Sequence, residues 1–307
     1  MKTLGNEDGL ALLSALLSVA LLTLIVVEMT DATFVHSHLT RNSGNAIAAQ
    51  LLARSGQIGA REALREARGS GPASEQIKMF VTSFVDAAPL TLPTARGHVM
   101  QIAIRDETGR LNLNDALQHA QAFEELFREL KIPPGLLESI QARIDNDPNS
   151  RLRPPSDDCA LGIACDPPRG PLRSLDDVRT IRGFDDDVIA QLRPYVTAYP
   201  RRSGRGAKVN LRTARAEVLR AIGCDTESLP PPPRTRDDLD AWKSNGDPCQ
   251  GATVGRTEDE ISDVYSILAV ATVGDATQAV ESTVQVGRGP LTWKQRPVWG
   301  AGPVGVR

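Results

Sequence analysis

Aromatic residues make up only 4% of this 307-residue chain, and histidine appears four times. So few rings leave no stacking platform for single-stranded nucleic acid or sugars. Positive charge is not in excess either. The net charge is −3 and the pI about 5.9, so no global field draws in a polyanion. The four cysteines form no Cys-x-x-Cys, and no His-x-x-x-His accompanies them, which argues against zinc. Gly-x-Ser-x-Gly, His-Glu-x-x-His and a phosphate loop are all missing. Asp145 with Asp147, or Asp185-Asp186-Asp187, could serve as paired carboxylates. Helix caps and a solvated acidic turn explain them better, and the chain reads as no enzyme.

What the chain does have is a long apolar run near its start. Leu10–Val27 carries no charge. At 1.5 Å per residue these 18 positions cover roughly 27 Å, close to the ~30 Å hydrocarbon core of a bilayer. Three readings compete. A cleaved secretory signal needs a positive n-region and a shorter core; here Lys2 is offset by Glu7 and Asp8. A plain signal anchor is the second. The third is a prepilin: a short polar leader ending at Gly9, then an apolar helix from Leu10 that anchors the chain and packs in a filament.

Helix formers continue to about Arg68, with Ile47, Leu51 and Ile58 on one face, before Gly69-Ser-Gly-Pro72 stops the helix. Val99–Asp106 alternates as a strand and ends at the turn Asp106-Glu-Thr-Gly109. Asn114 or Asp115 is then a candidate N-cap for the next helix. Residues 115–205 read as mostly helical, with helices at Ala120–Leu130, Leu136–Ile144 and Asp185–Leu192. Ser174-Leu-Asp-Asp177 has the form of a capping box. Lys208–Ile222 reads as a short strand, a Thr213 cap and a helix. Tyr265–Val286 is a hairpin pattern turning at Gly274-Asp275, and Leu291–Trp299 supplies an edge strand. Arg110-Leu-Asn-Leu-Asn and Lys208-Val-Asn-Leu look alike, an internal echo too short to establish a repeat.

An even cysteine count behind a membrane anchor suits disulfides in an oxidising compartment. Of three connectivities the local one, Cys159–Cys165 with Cys224–Cys249, closes two loops rich in Pro, Gly and Asp. Four reduced, buried thiols are the alternative.

The order of these features resembles the type II secretion protein K family, the large minor pseudopilin. The resemblance rests on Gly9-Leu10 with its apolar helix, on Asp106–Asn114, and on Arg143-Ile-Asp-Asn-Asp147 in place of a Trp-Ile-Asp stretch. It continues through Pro171–Val178, Leu192–Thr197, Pro200, Val209–Ala214 and the closing strands with Trp293. It implies an α+β fold: a pilin-like long N-terminal helix packed on a small antiparallel β-sheet, with a large helical domain of helix-hairpin-helix-like character inserted between strands. The expected organisation is a leader at 1–9 and a transmembrane segment at 10–27 within a helix to about 68. A pilin-like domain would comprise 69–114 and 262–307. The insert would run from 115 to 261, in two parts near 115–205 and 206–261.

The resemblance also implies a role. Such a protein caps a short periplasmic filament together with the I and J minor pseudopilins, above the major pseudopilin. A prepilin peptidase would cut between Gly9 and Leu10, leaving a methylated N-terminus in the inner membrane. Most pilins carry Glu as the fifth mature residue; counting from Leu10, that position is Ser14. Calcium binds in the family's helical domain, and the candidate ligands here are Asp145, Asp147, Asp157, Asp158 and Asp166. A solvated acidic loop is the alternative. The other function considered is a membrane-anchored DNA-uptake protein, because Leu175–Ile189 resembles a helix-hairpin-helix. Its hairpin, Arg182-Gly183-Phe184, lacks the second Gly, and three carboxylates that would repel phosphate follow it.

Overall fold

A computed structural model describes residues 6–94, 97–145, 170–200, 208–226, 240–241, 244, 246–286 and 289–298. Its longest element is helix α1, Asn6–Ala67. Leu, Ala and Val dominate its first half. Its hydroxyl residues do not interrupt it, because Ser18, Thr30, Thr33 and Thr40 donate back to carbonyls four residues earlier, at 2.7–2.8 Å. From residue 49 onward the helix gains a buried face of Ala49, Ala53, Ala60, Leu64 and Ala67. These small side chains let it lie close against strands. Gly56 sits on the same side, where a Cβ would run into the Met100 sulfur. Helix α2, Pro72–Phe84, opens with Pro at its first position and folds back on α1. The sequence pattern had not marked α2.

The sheet under α1 contains β1 (Leu90–Pro93), β2 (Val99–Asp106), β7 (Val264–Val273), β8 (Ala276–Gln285) and β9 (Gly289–Val298). Its order is β1-β2-β7-β8-β9, antiparallel throughout. The β7–β8 hairpin turns at Gly274-Asp275, and β9 is an edge. Ile102, Ile104, Tyr265, Ile267, Ala269 and Val284 form its core with α1 and Val81 of α2.

Between β2 and β7 the chain leaves the sheet and builds a second core. Its elements are β3 (Leu111–Asn112), α3 (Ala120–Glu129), α4 (Pro134–Ile144), a 3-10 turn (Leu175–Thr180), α5 (Asp186–Leu192), β4 (Val196–Thr197), β5 (Lys208–Asn210), α6 (Ala216–Ala221) and β6 (Gly255–Thr257). Phe123, Leu126, Phe127, Ile140, Leu172, Ile189, Leu192, Leu219 and Ile222 are fully buried there. Leu111 and Leu113 belong to this core, so the insert takes over directly after the turn at Asp106–Gly109.

The echo in the sequence is a structural repeat. β3 pairs in parallel with β4, and Asn112 faces Thr197; β5 pairs in parallel with β6, and Asn210 faces Thr257. Asn112 accepts from the Asn114 N–H and donates to the Tyr199 carbonyl, both at 3.1 Å. Asn210 accepts from the Arg212 N–H at 3.1 Å and donates to the Asp259 carbonyl at 3.0 Å. In both halves one Asn turns the chain out of a strand and holds the segment just beyond the returning strand.

Several local expectations need correction. Neither Asn114 nor Asp115 caps α3, whose N-cap position is His119. The Asn114 side chain is instead spent between segments, donating to Leu172 and Tyr199 carbonyls at 2.8 and 2.9 Å. Thr213 does not cap α6, which starts after Arg215; its hydroxyl turns the other way, to Asp106 at 2.6 Å. The Ser174–Asp177 capping box is formed, but it opens a 3-10 turn.

Candidate assembly site

Helix α1 offers two surfaces of opposite character. The first is the apolar span, whose 18-residue window has a mean hydropathy of 2.4 and no buried residue. One helix long and apolar enough to cross a membrane is therefore present near the N-terminus. Gly9 and Leu10 fall in its first turns, within α1. Ser14 lies on its exposed length.

The second surface is the side of α1 turned away from the sheet. Ile47, Leu51 and Ile58 share a face, as their spacing indicated, but it is not the face that packs on the sheet. They are 56%, 60% and 49% exposed, while Ala49, Ala53 and Ala60 occupy the contact side. The sheet selects the small side chains because they allow close approach, and the larger ones are left outside. Toward the N-terminus, residues 12–44 are exposed on every side of the helix. Phe34, Val35 and Leu39 are exposed on the same stretch, with Phe34 against His38 at 4.3 Å between ring centroids.

At the other end, the insert meets the sheet at a polar junction. Asp106, 2% exposed, ends β2. One carboxylate oxygen accepts from the Thr108 N–H and hydroxyl, both at 2.7 Å. The other accepts from Ser262 and Thr213 hydroxyls, each at 2.6 Å, and from the Asn210 amide at 3.1 Å. Asp106 thus ties together both chain crossings and the second repeat. Gly109 permits this closeness, since a Cβ there would lie 2.6 Å from the Thr213 hydroxyl. Beside it, Glu107 accepts from Thr197 on β4 and pairs with Arg110 at 3.2 Å. Arg110 reaches back to Asp86, after α2, at 3.7 Å. No sequence pattern singled out Asp106 as a hub, because its partners lie about 100 to 156 residues away.

Cys224 and Cys249 are bonded to each other, 25 residues apart with Cα atoms at 4.1 Å, inside the insert's core. Cys159 and Cys165 lie outside the described residues, as do Asp147, Asp157, Asp158 and Asp166. Asp145 follows α4, where its N–H closes the helix on the Gln141 carbonyl at 2.9 Å. Among the described residues no group of three or more His, Cys, Asp or Glu converges on a metal position. The helix-hairpin-helix-like turn, Arg179–Asp185, lines an open cleft of about 430 Å³. Arg179 there is engaged by Asp186 and Asp176, and Asp185 caps α5 by accepting from the Val188 N–H at 2.8 Å. Arg179 is thus engaged by carboxylates, and Arg182 lines the same cleft.

Residues 109–201 match the family model for the type II secretion system (T2SS), protein K. This part of the insert is similar to protein K. The likeness in fold extends over more of the chain. The chain aligns with a chain in the crystal structure of the GspK–GspI–GspJ complex from the enterotoxigenic Escherichia coli type 2 secretion system, with a TM-score of 0.62 and 19% identity. The alignment covers 85% of this chain and 99% of that one. No curated protein sequence matches the chain at a significant level. The matched residues comprise the first repeat, from the turn at Gly109 through α5 and β4. The long N-terminal helix, the antiparallel sheet and the insert together give the α+β fold that this chain shares with that structure.

Proposed function

We propose that the chain sits once, at the tip of a periplasmic pseudopilus, and starts or caps that filament during export of folded proteins. The observation that carries this reading is α1: bare on every side along its apolar span, and from Ala49 onward packed by its own sheet on one face while Ile47, Leu51 and Ile58 stay exposed. Beyond a bilayer, packing against other helices would bury that exposed side. Minor pseudopilins of the I and J types are the partners, with the major pseudopilin below. Ser14 supports the tip position, because it has no carboxylate to pair with the N-terminus of a neighbour. The insert supports it too, being too bulky to repeat along a tight shaft.

Prepilin peptidase would cut after Gly9 on the cytoplasmic side of the inner membrane, leaving Leu10 as the mature, methylated N-terminus. Gly9→Val would obstruct the protease. Intact-mass measurement should find the nine leader residues retained in the variant, with secretion lost; mature, active protein still carrying them in the wild type would contradict the reading.

Calcium is part of the same proposal. Asp145, Asp147, Asp157, Asp158 and Asp166 offer carboxylate oxygens, the kind of ligand calcium takes. Calcium should raise the melting temperature of the purified chain, and no rise would count against a site there.

A further inference from the structure

We propose that Asn42, Gln57 and Leu64 lock α1 on the sheet against a second register, one heptad away, that the helix sequence also encodes. The buried positions of α1 are Ala49, Ala53, Gly56, Gln57, Ala60, Leu64 and Ala67. The residues seven earlier are Asn42, Ala46, Ala49, Gln50, Ala53, Gln57 and Ala60. A shift of seven residues turns a helix by only about 20°, so the earlier row can take the place of the later one. Ala46, Ala53 and Ala60 then fill the sites of Ala53, Ala60 and Ala67, and Gln50 fills that of Gln57. Beside the row, Arg61 takes the site of Arg68, which pairs with Asp263 and donates to the Val286 carbonyl at 3.4 Å.

Only one direction of slip is open. Moving the sheet about 10.5 Å toward the N-terminus of α1 leaves residues 62–71 to join Arg61 to α2, where 69–71 now join Arg68 to it. The opposite slip would put Glu75, inside α2, at the site of Arg68.

The mismatches at buried positions are what hold the observed register. Gln57, 4% exposed, donates to the Ser282 hydroxyl at 2.9 Å, and Ser282 is 1% exposed. After a slip Gln50 can reach Ser282, but Gln57 is carried into the fully buried site of Leu64, in the apolar core with Val81 and Tyr265. Asn42 is carried into the fully buried site of Ala49. Burying an amide without a partner is costly. Ala49 would also replace Gly56, where a Cβ runs into the Met100 sulfur. One polar side chain in an otherwise apolar face is a known way to fix the register of a helix. Here the register sets how far the sheet and the insert stand from the apolar span. It does so within the single chain, whichever neighbours α1 meets.

Ala53, Ala271 and Val280 pack together, so Ala53→Cys with Ala271→Cys reports the observed register. Ala46→Cys with Ala271→Cys reports the slipped one. The full-length chain in detergent would be oxidised and its bridges identified by peptide mass. With α1 otherwise unchanged, only the first pair should bridge. Asn42→Ala with Gln57→Leu removes both amides that the slip would bury and supplies a leucine for the site of Leu64. In that background the bridge between positions 46 and 271 should rise roughly tenfold or more, at the expense of the one between 53 and 271. Ser282→Ala removes an acceptor that serves both registers. It should lower the melting temperature without producing the bridge between 46 and 271, which separates the register effect from a simple loss of stability. A double variant that bridges only through 53 and 271, or through neither pair, overturns the lock. So does a bridge between 46 and 271 of equal yield in the unaltered helix.

Discussion

Asp106 shows how much one buried carboxylate can organise. Its donors come from its own turn, from the end of β5 and just beyond it, and from the approach to β7. Asp106→Ala would take the acceptor from the Thr108 N–H and from the Thr213 and Ser262 hydroxyls, while the Asn210 amide keeps the Asp259 carbonyl and Ser262. Unsatisfied groups of this kind cost about 1–3 kcal/mol each where water cannot reach them, and partial relaxation leaves a net loss on the order of 3 kcal/mol. Chemical denaturation of the full-length chain in detergent should read that loss; a change below about 1 kcal/mol would mean the crossings are held by other contacts. Asp106 and its turn were legible as the end of a strand. Its role as a hub was not, because hydrogen bonds over such separations leave no local pattern. The misread caps have the same origin: Asn114 and Thr213 have the chemistry of N-caps, and tertiary partners claim it first.

Among the elements, those with strong periodicity or turn chemistry were readable. The β7–β8 hairpin, β2 and helices α3 to α5 lie within a residue or two of where the sequence put them. α2 was missed because Met79 and Phe80 stay exposed on it, which blurs its apolar stripe. The face of α1 bearing Ile47, Leu51 and Ile58 was visible in the sequence, but which side met the sheet depended on side-chain volume, not hydrophobicity. Leu51→Asp should therefore leave thermal unfolding of the monomer within about 0.5 kcal/mol of wild type, as at an exposed site, while abolishing recovery of partner pseudopilins. Ala53→Asp, on the buried side, should instead unfold the helix from the sheet. The Cys224–Cys249 bridge belongs to this scale as well. In a chain-entropy model its loop is worth roughly 3–4 kcal/mol, so Cys224→Ser with Cys249→Ser should lower the denaturant midpoint accordingly. An unchanged midpoint would show that the core around Val218 and Val254 suffices.

Over the whole molecule, the chain divides along its length into a helix apolar and long enough to cross a membrane, a sheet that braces its later half, and a two-repeat insert joined to the sheet at Asp106 and Arg110. The order of these parts was legible from the N-terminus and from motif spacing. The bare outer face of α1 makes the tip reading testable in an assembled filament. The direct measurement is cysteine crosslinking from Leu51→Cys in cells that assemble the secretion machinery, with products identified by mass. The account predicts crosslinks to other minor pseudopilins, a single copy of this chain per filament, and no product joining two copies of it. A ladder of this chain crosslinked to itself along the shaft would contradict it.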